Sequence, residues 1–178
     1  MPTPMPDAAA CSSVPDFVIY PHAALSRPAV PRPVDAALLQ TGQRLLAAAQ
    51  QAQAYGLAAA HIGEAEPVIV ISTASDPAKR DYRLLFNPSV ISVSDEVAAG
   101  MEGSVSLPGI ELSVSRPIWA EIAYDDANGA GQRERFEAFV ARVAQHEIDQ
   151  LNGTFFLARV SRLKRDAALR KFDKSRRA

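Results

Sequence analysis

This 178-residue chain has a single cysteine, and no signal-like segment or long apolar run. Its one cysteine, Cys11, has no partner within the chain, which excludes an internal disulfide framework. No stretch approaches the ~20 apolar residues of a membrane-spanning helix, so no membrane contact is expected. Residues 1–16 contain no Lys or Arg and no apolar run, and so lack both the basic start and the hydrophobic middle of a secretory signal. They read as a disordered leader before one domain over residues 17–178, and the default compartment is the cytoplasm. There is no internal repeat and no low-complexity block beyond that Pro/Ala-rich leader, which excludes solenoids and arrays. What remains has 48% hydrophobic and 22% charged residues, a composition suited to a soluble globular domain with a substantial core.

Charge nearly balances overall, at −1, but it is unevenly placed. Residues 159–177 hold nine basic side chains against Asp166 and Asp173, a net +7 that leaves about −8 on the remainder. Ser161 fits the N-cap of a terminal helix carrying this charge. Such a helix is either a solvated face that aids solubility or a dock for a phosphate backbone, where each cation adds salt-dependent affinity by displacing a counterion.

Hydrophobic spacing sets out the elements. From Asp35, Leu38, Leu39, Leu45, Leu46 and Ala49 recur at helical intervals, predicting an amphipathic helix of about five turns that Gly56 ends. Residues 67–73 and 82–94 are β-branched runs that read as strands, the second with an edge or a bend at Asn87-Pro88. Residues 109–115 and 118–124 read as two more strands around Arg116-Pro117, and 125–131 as a turn. Strands this close together leave no room for helical crossovers, which favours an antiparallel or mixed sheet. Trp119 and Tyr124 suit a core or a sheet face.

A helix from about Ala138 to Gly153 carries the apolar stripe Phe139, Val140, Val143 and Leu151. The same spacing turns His146, Glu147 and Gln150 inward, which is costly unless something satisfies an acid beside an imidazole. Two histidines four residues apart on one helical face would grip a divalent cation, with the glutamate beside the first as general base. Here the second position is Gln150. Ser104 and Ser106, with two histidines elsewhere, raise the idea of a serine hydrolase, but no G-x-S-x-G elbow exists to present the nucleophile. Taken alone, His61 suits a satisfied core histidine and His22, beside Pro21, a turn.

Three stretches in order, "YGLAAAHIG" (55–63), "MEGSVSLPG" (101–109) and "QHEIDQLNG" (145–153), resemble the motifs of the peptide deformylases. These are metal-dependent hydrolases that remove the formyl group from the starting methionine of bacterial proteins. The resemblance runs from about Phe17 to the C-terminus and implies that family's single α+β domain. Short strands would surround a central motif-bearing helix, with the basic helix at the C-terminus. The family motifs read G-x-G-L-A-A-x-Q, E-G-C-L-S and H-E-x-D-H. The cysteine and both histidines hold the metal, usually ferrous iron. The helix glutamate handles protons, while the glutamine and the backbone N–H after the cysteine steady the oxyanion. Carried over, His146 matches the first histidine ligand, Glu147 the acid/base and the Val105 N–H the backbone donor. Gly56, Leu57, Glu102 and Gly103 match the substrate side of the site, and Ala58, Ala59, Ser106, Arg116 and Asp149 also fit.

The departures fall on the chemistry. Ser104 replaces the cysteine ligand, Gln150 the second histidine and His61 the oxyanion glutamine, and Glu111 stands near where the family usually places a substrate-facing arginine. A serine hydroxyl stays protonated near neutrality, and a glutamine carbonyl is a weak ligand for zinc or iron. With His61 recruited, the set would still be two imidazoles and neutral oxygens. The implied cofactor is none, or a weakly held divalent ion such as Fe2+, Zn2+ or Ni2+. The implied function is a pseudoenzyme whose pocket still takes N-terminal (formyl-)methionine peptides. Two alternatives stand beside it. One is an active or weakly active enzyme with an altered metal site, either a deformylase in which His61 and His146 hold the metal or a hydrolase of another N-acyl group, with Glu147 retained. The other is an interaction module whose basic C-terminal helix meets ribosomal RNA.

Overall fold

The computed structural model describes residues 16–177, so the expected leader, with Cys11, lies outside the described residues except for Asp16. In chain order the elements are helix α1 (Ala36–Ala52), strands β1 (Gly56–Ala58), β2 (Val68–Ser72), β3 (Tyr82–Val93), β4 (Val97–Gly103), β5 (Glu111–Pro117), β6 (Trp119–Asp125) and β7 (Gly131–Glu137), helix α2 (Ala138–Leu151) and helix α3 (Arg162–Arg177). Five strands form an antiparallel sheet in the order β1-β2-β3-β6-β7, and β4 pairs with β5 in a second, two-stranded antiparallel sheet. This is the single-domain α+β architecture that the motifs imply.

The continuous apolar run of β2 is explained by burial on both faces. Val68 and Val70 pack with Leu38, Leu45, Ala48 and Ala49 of α1, while Ile69 and Ile71 pack with Ala141, Val143, Ala144 and Ile148 of α2. Helix α1 starts on Asp35, whose carboxylate accepts from the Leu38 N–H at 2.9 Å, and stops at the left-handed Gln53 (φ 51°), three residues before the glycine expected to end it. The Asn87-Pro88 step is a bend and not an edge. Strand β3 sits in the middle of its sheet, and a register shift between Phe86 and Ser89 absorbs the proline that cannot donate to the ladder. Asn87 pins the bend, donating from Nδ2 to Arg32 O and to Asp125 Oδ2, each at 2.8 Å.

Helix α2 lies across the larger sheet and ends at Gly153, whose φ of +79° suits glycine and where a Cβ would come within 2.8 Å of Ser26 O. That close approach seats the segment around Leu25 against the C-terminal end of α2. Phe139 departs from the expected core stripe: it is 38% exposed and meets Tyr55 edge-on, with ring centroids 4.7 Å apart. The other bland expectations hold: Tyr124 is buried, Trp119 lies under the Arg135 guanidinium, and His22 accepts from the Ala24 N–H in a turn.

Helix α3 starts at Ser161 as expected, the Ser161 hydroxyl accepting from the Lys164 N–H at 3.4 Å. It docks through Ala168 and Phe172 onto Leu25, Leu107, Ile110, Phe155 and Phe156, leaving its basic side chains mostly outward. No helix among the described residues is long and apolar enough to cross a membrane. Phe172, only 3% exposed, is the main anchor of α3. Phe172→Ala is expected to cost about 3 kcal/mol, read as a lower denaturant midpoint; an unchanged midpoint would show that α3 contributes nothing to the core.

Candidate active site

Helix α2, strand β1, the 3-10 turn Ala59–Ile62 and the start of the β4–β5 sheet enclose a cavity of about 300 Å³. One wall is apolar, with Tyr55, Leu57, Met101, Phe139 and Val143, and the other carries His61, Glu102, Ser104, Glu111, Arg142, His146 and Glu147. Of the ten site residues read from the motifs, nine line it: Gly56, Leu57, His61, Glu102, Gly103, Ser104, Val105, His146 and Glu147. Gly56 lets β1 come up against α2, since a Cβ there would stand 2.7 Å from Val143 Cγ1 and 2.9 Å from Glu147 Cγ. Gln150 is the tenth and faces elsewhere. It is 1% exposed, and its Nε2 donates to Leu25 O at 2.8 Å.

Glu102 is the most heavily bonded group of the site. Its buried carboxylate accepts from Arg116 Nε and from Arg116 Nη2 (2.9 Å), from Arg142 Nη1 (3.0 Å) and from His146 Nδ1 (2.8 Å). Burial alone would raise the Glu102 carboxyl, but the hydrogen bonds and charges of His146 and Arg116 hold it down to about 2. Arg116 also donates to Asp149 Oδ2 at 2.7 Å, and Arg159 reaches the same oxygen from outside at 2.9 Å. For His146, burial opposes the charge, yet the bond to Glu102 and the nearby Glu147 and Glu102 carboxylates outweigh it and raise its pKa. With Nδ1 committed to Glu102, the Nε2 of His146 is the nitrogen turned to Glu147, 4.0 Å away.

Glu147 is the group that the site leaves unsatisfied. Its Oε2 is buried with no hydrogen-bond partner among the described residues, and burial pushes its carboxyl up to about 7, against the pull of His146. His61 Nδ1 comes within 3.7 Å of that oxygen, but the contact is not an ion pair. Burial and the neighbouring His146 lower the His61 pKa to about 3, so its ring is neutral near neutral pH. Its Nδ1 accepts a hydrogen bond from the Ala58 N–H at 3.0 Å. On the far side Nε2 lies 3.4 Å from Ser104 Oγ. Ser104, His61 and Glu147 therefore stand in the sequence of a serine triad. A triad needs Nε2 as proton acceptor and Nδ1–H on the carboxylate, and the Ala58 N–H imposes the opposite.

The divalent ion implied by the motifs does not fit these donors. The positions corresponding to its three ligands hold His146, a Ser104 hydroxyl that already accepts from the Ser106 N–H at 3.1 Å, and a Gln150 amide engaged with Leu25 O. A neutral hydroxyl and an averted amide do not replace a thiolate and an imidazole. Among the described residues, no group of three His, Cys, Asp or Glu side chains is arranged to hold a metal ion.

Arg142 is the residue that the motifs did not reveal. Besides Glu102 it bonds Val114 O at 2.7 Å and Ala98 O at 2.6 Å, tying α2 to both strands of the smaller sheet. Its place four residues before His146, on the same helical face, is the signal that could have found it. Tyr55, Met101 and Phe139 at the cavity mouth carry no such signal, because they come together only when β1, β4 and α2 meet.

Comparison with known proteins supports the motif reading. The family model for polypeptide deformylase matches residues 14–166. A peptide deformylase-like protein of Agrobacterium fabrum is 40% identical over 158 residues, covering 88% of this chain and 94% of the relative. A peptide deformylase of the same organism is 35% identical over 145 residues, covering 82% and 85%. The crystal structure of the Ehrlichia chaffeensis peptide deformylase in complex with actinonin superposes with a TM-score of 0.84 at 30% identity, over 93% of this chain and 99% of that one.

The Glu102 network makes a pH prediction. A carboxyl whose pKa falls from the ordinary 4.5 to about 2 on folding stabilises the folded state fully above 4.5, and this stabilisation is lost as pH falls through about 2. Glu102→Gln is expected to cost about 3 kcal/mol near neutral pH and to flatten the acid limb of the stability curve, measured by urea unfolding at stepped pH. Parallel wild-type and variant curves would remove Glu102 from this role.

Proposed function

The chain belongs to the polypeptide deformylase family, and from that premise we propose that it is a deformylase-like protein that holds N-terminal methionine peptides, formylated or not, without efficient metal-dependent deformylation. The observation that carries this reading is the donor set: of three ligand positions only His146 keeps a metal-binding side chain, while Gln150 turns to Leu25 O. Without a metal to bring the pKa of a bound water from ~15.7 to about 7, hydrolysis of a formamide lacks its usual nucleophile. The apolar wall of Tyr55, Leu57, Met101, Phe139 and Val143 suits a methionine side chain, which supports retention of the peptide. In this reading Gly56, Leu57, Glu102 and Gly103 frame the peptide, and the protein works in the cytoplasm beside translation.

A second reading keeps catalysis. It is favoured by Glu147, whose carboxyl lies at about 7 with one oxygen free, and by relatives that bear the name peptide deformylase. There Glu147 is the acid/base of a weak deformylase or of a hydrolase for another N-acyl group.

A third, compatible reading concerns α3. Arg162, Lys164, Arg170, Lys171, Lys174, Arg176 and Arg177 are all exposed, which supports contact with ribosomal RNA.

One experiment separates the first two readings. Protein purified without added metal should carry far less than one equivalent of iron, zinc or nickel by elemental analysis, and should turn over formyl-Met-Ala-Ser barely above background. A stoichiometric metal with brisk turnover defeats the first reading, and residual activity that Glu147→Gln leaves unchanged defeats the second. For α3, reversing Arg170, Lys171 and Lys174 to Glu, with Phe172 kept, should abolish ribosome co-sedimentation at low salt. Unaltered sedimentation would reject the contact.

A further inference from the structure

We infer that a second cavity, on another side of α2 from the one that holds Glu147, is a binding site for a small aliphatic carboxylate. The two cavities share no lining residue, so this site stands apart from the peptide reading. Helix α2 shows each of them a different stripe. Arg142, Val143, His146 and Glu147 face the first, whereas Gln145, Ile148, Asp149 and Asn152, at the spacing of one helical face, line the second.

The second cavity has a volume of about 600 Å³, within the range of small-molecule sites. One part of its wall is aliphatic, built from Pro31, Pro67 and Pro88 and from Val90 and Val93 of β3. Three residues apart on a regular strand, the two valines would point to opposite faces. A second register shift in β3, between Val90 and Ser92, inserts the extra residue that turns Val93 to the side of Val90. Both remain about 40% exposed, at 40% and 41%, so the bulge brings two apolar side chains to a cavity and not to the core.

The α2 side of the cavity supplies the charge. Asp149, the one acid among its lining residues, is filled at both oxygens: Oδ2 accepts from Arg116 Nη1 at 2.7 Å and from Arg159 Nε at 2.9 Å, and Oδ1 accepts from Arg159 Nη2. Asp149 thus occupies the Nε side of the Arg159 guanidinium. The end fork of Arg159, formed by Nη1 and the second Nη2 hydrogen, meets no acceptor among the described residues, and its side chain is 48% exposed. The Asn152 side-chain amide, also at the cavity, is likewise without a partner among the described residues. Followed inward, the network sets two carboxylates, Glu102 and Asp149, against the three guanidiniums of Arg116, Arg142 and Arg159. The surplus is positive, and Arg159 is its outermost member. A planar anion suits a free guanidinium fork, and an aliphatic chain attached to it would cover Val90 and Val93.

Amide shifts of the 15N-labelled full-length protein titrated with octanoate at low ionic strength test the site. The shifts should fall at Val90, Val93, Gln145 and Asn152 and leave Tyr55, Met101 and Phe139 of the first cavity in place. Octanoate should bind about tenfold more tightly than hexanoate, from the burial of two further methylenes, and octylammonium should not bind there. Arg159→Gln should weaken octanoate by about tenfold or more, and Val93→Asp, which sets a carboxylate against the ligand, should abolish binding. No saturable shift, shifts confined to the first cavity, equal affinity for octylammonium or for hexanoate, or unchanged affinity in Val93→Asp overturns the site. If Arg159→Gln loosens the fold, Val93→Asp and the chain-length comparison decide.

Discussion

The Glu102 carboxylate is the joint on which the rest of the structure depends. It stands on β4, and its donors come from β5 (Arg116) and α2 (Arg142 and His146), so one buried charge ties the smaller sheet to the helix that carries the site. A two-stranded sheet has little stability of its own, and a buried carboxylate is tolerable only when its lone pairs are filled. Each requirement is met by the other. The tie continues outward from Arg116 through Asp149 to Arg159, just before α3, so the hairpin, the central helix and the C-terminal segment share one charged network.

That network decides what the cavity presents. By taking Nδ1 of His146, Glu102 leaves the other ring nitrogen toward Glu147. His61, whose Nδ1 accepts from the Ala58 N–H and whose buried ring is neutral, cannot relieve the Glu147 carboxylate as an ion pair would. Glu147 is thus left with an unpartnered oxygen in a buried place, which is why its carboxyl holds its proton toward neutral pH.

Much of the fold was legible in the residues. The β-branched runs mark β2 and β3, the two short segments around Arg116-Pro117 mark β5 and β6, the Leu-Ala periodicity marks α1, and the inward stripe of α2 correctly turns His146, Glu147 and Gln150 into the interior. Strand β4 was not legible, because Ala98, Ala99, Gly100 and Met101 have no strand preference of their own and are extended only by pairing with β5. Strand β1 is too short to show a period, and β7 is a polar edge strand. In the site, nine of the ten expected residues do meet, since short motifs travel with the elements that carry them. Gln150 escapes because its acceptor, Leu25 O, is 125 residues away in sequence.

By itself, then, the sequence determined the chemical inventory of the site: a glutamate beside a histidine on a buried helical face, a serine and a glutamine at the positions that match a cysteine and a histidine of the family motifs, and a basic last helix. Those are properties of residue type and short-range spacing. Only the tertiary structure decided which nitrogen of each histidine faces the cavity, which carboxylate is satisfied and which is not, and that Gln150 looks away. Proton positions and pKa values depend on partners that folding brings within about 3 Å, and these partners lie in distant segments for His146 and Gln150. For His61 the partner is only three residues off, and the turn that closes the bond packs through Ala59 and Ile62 in the same cluster as α1.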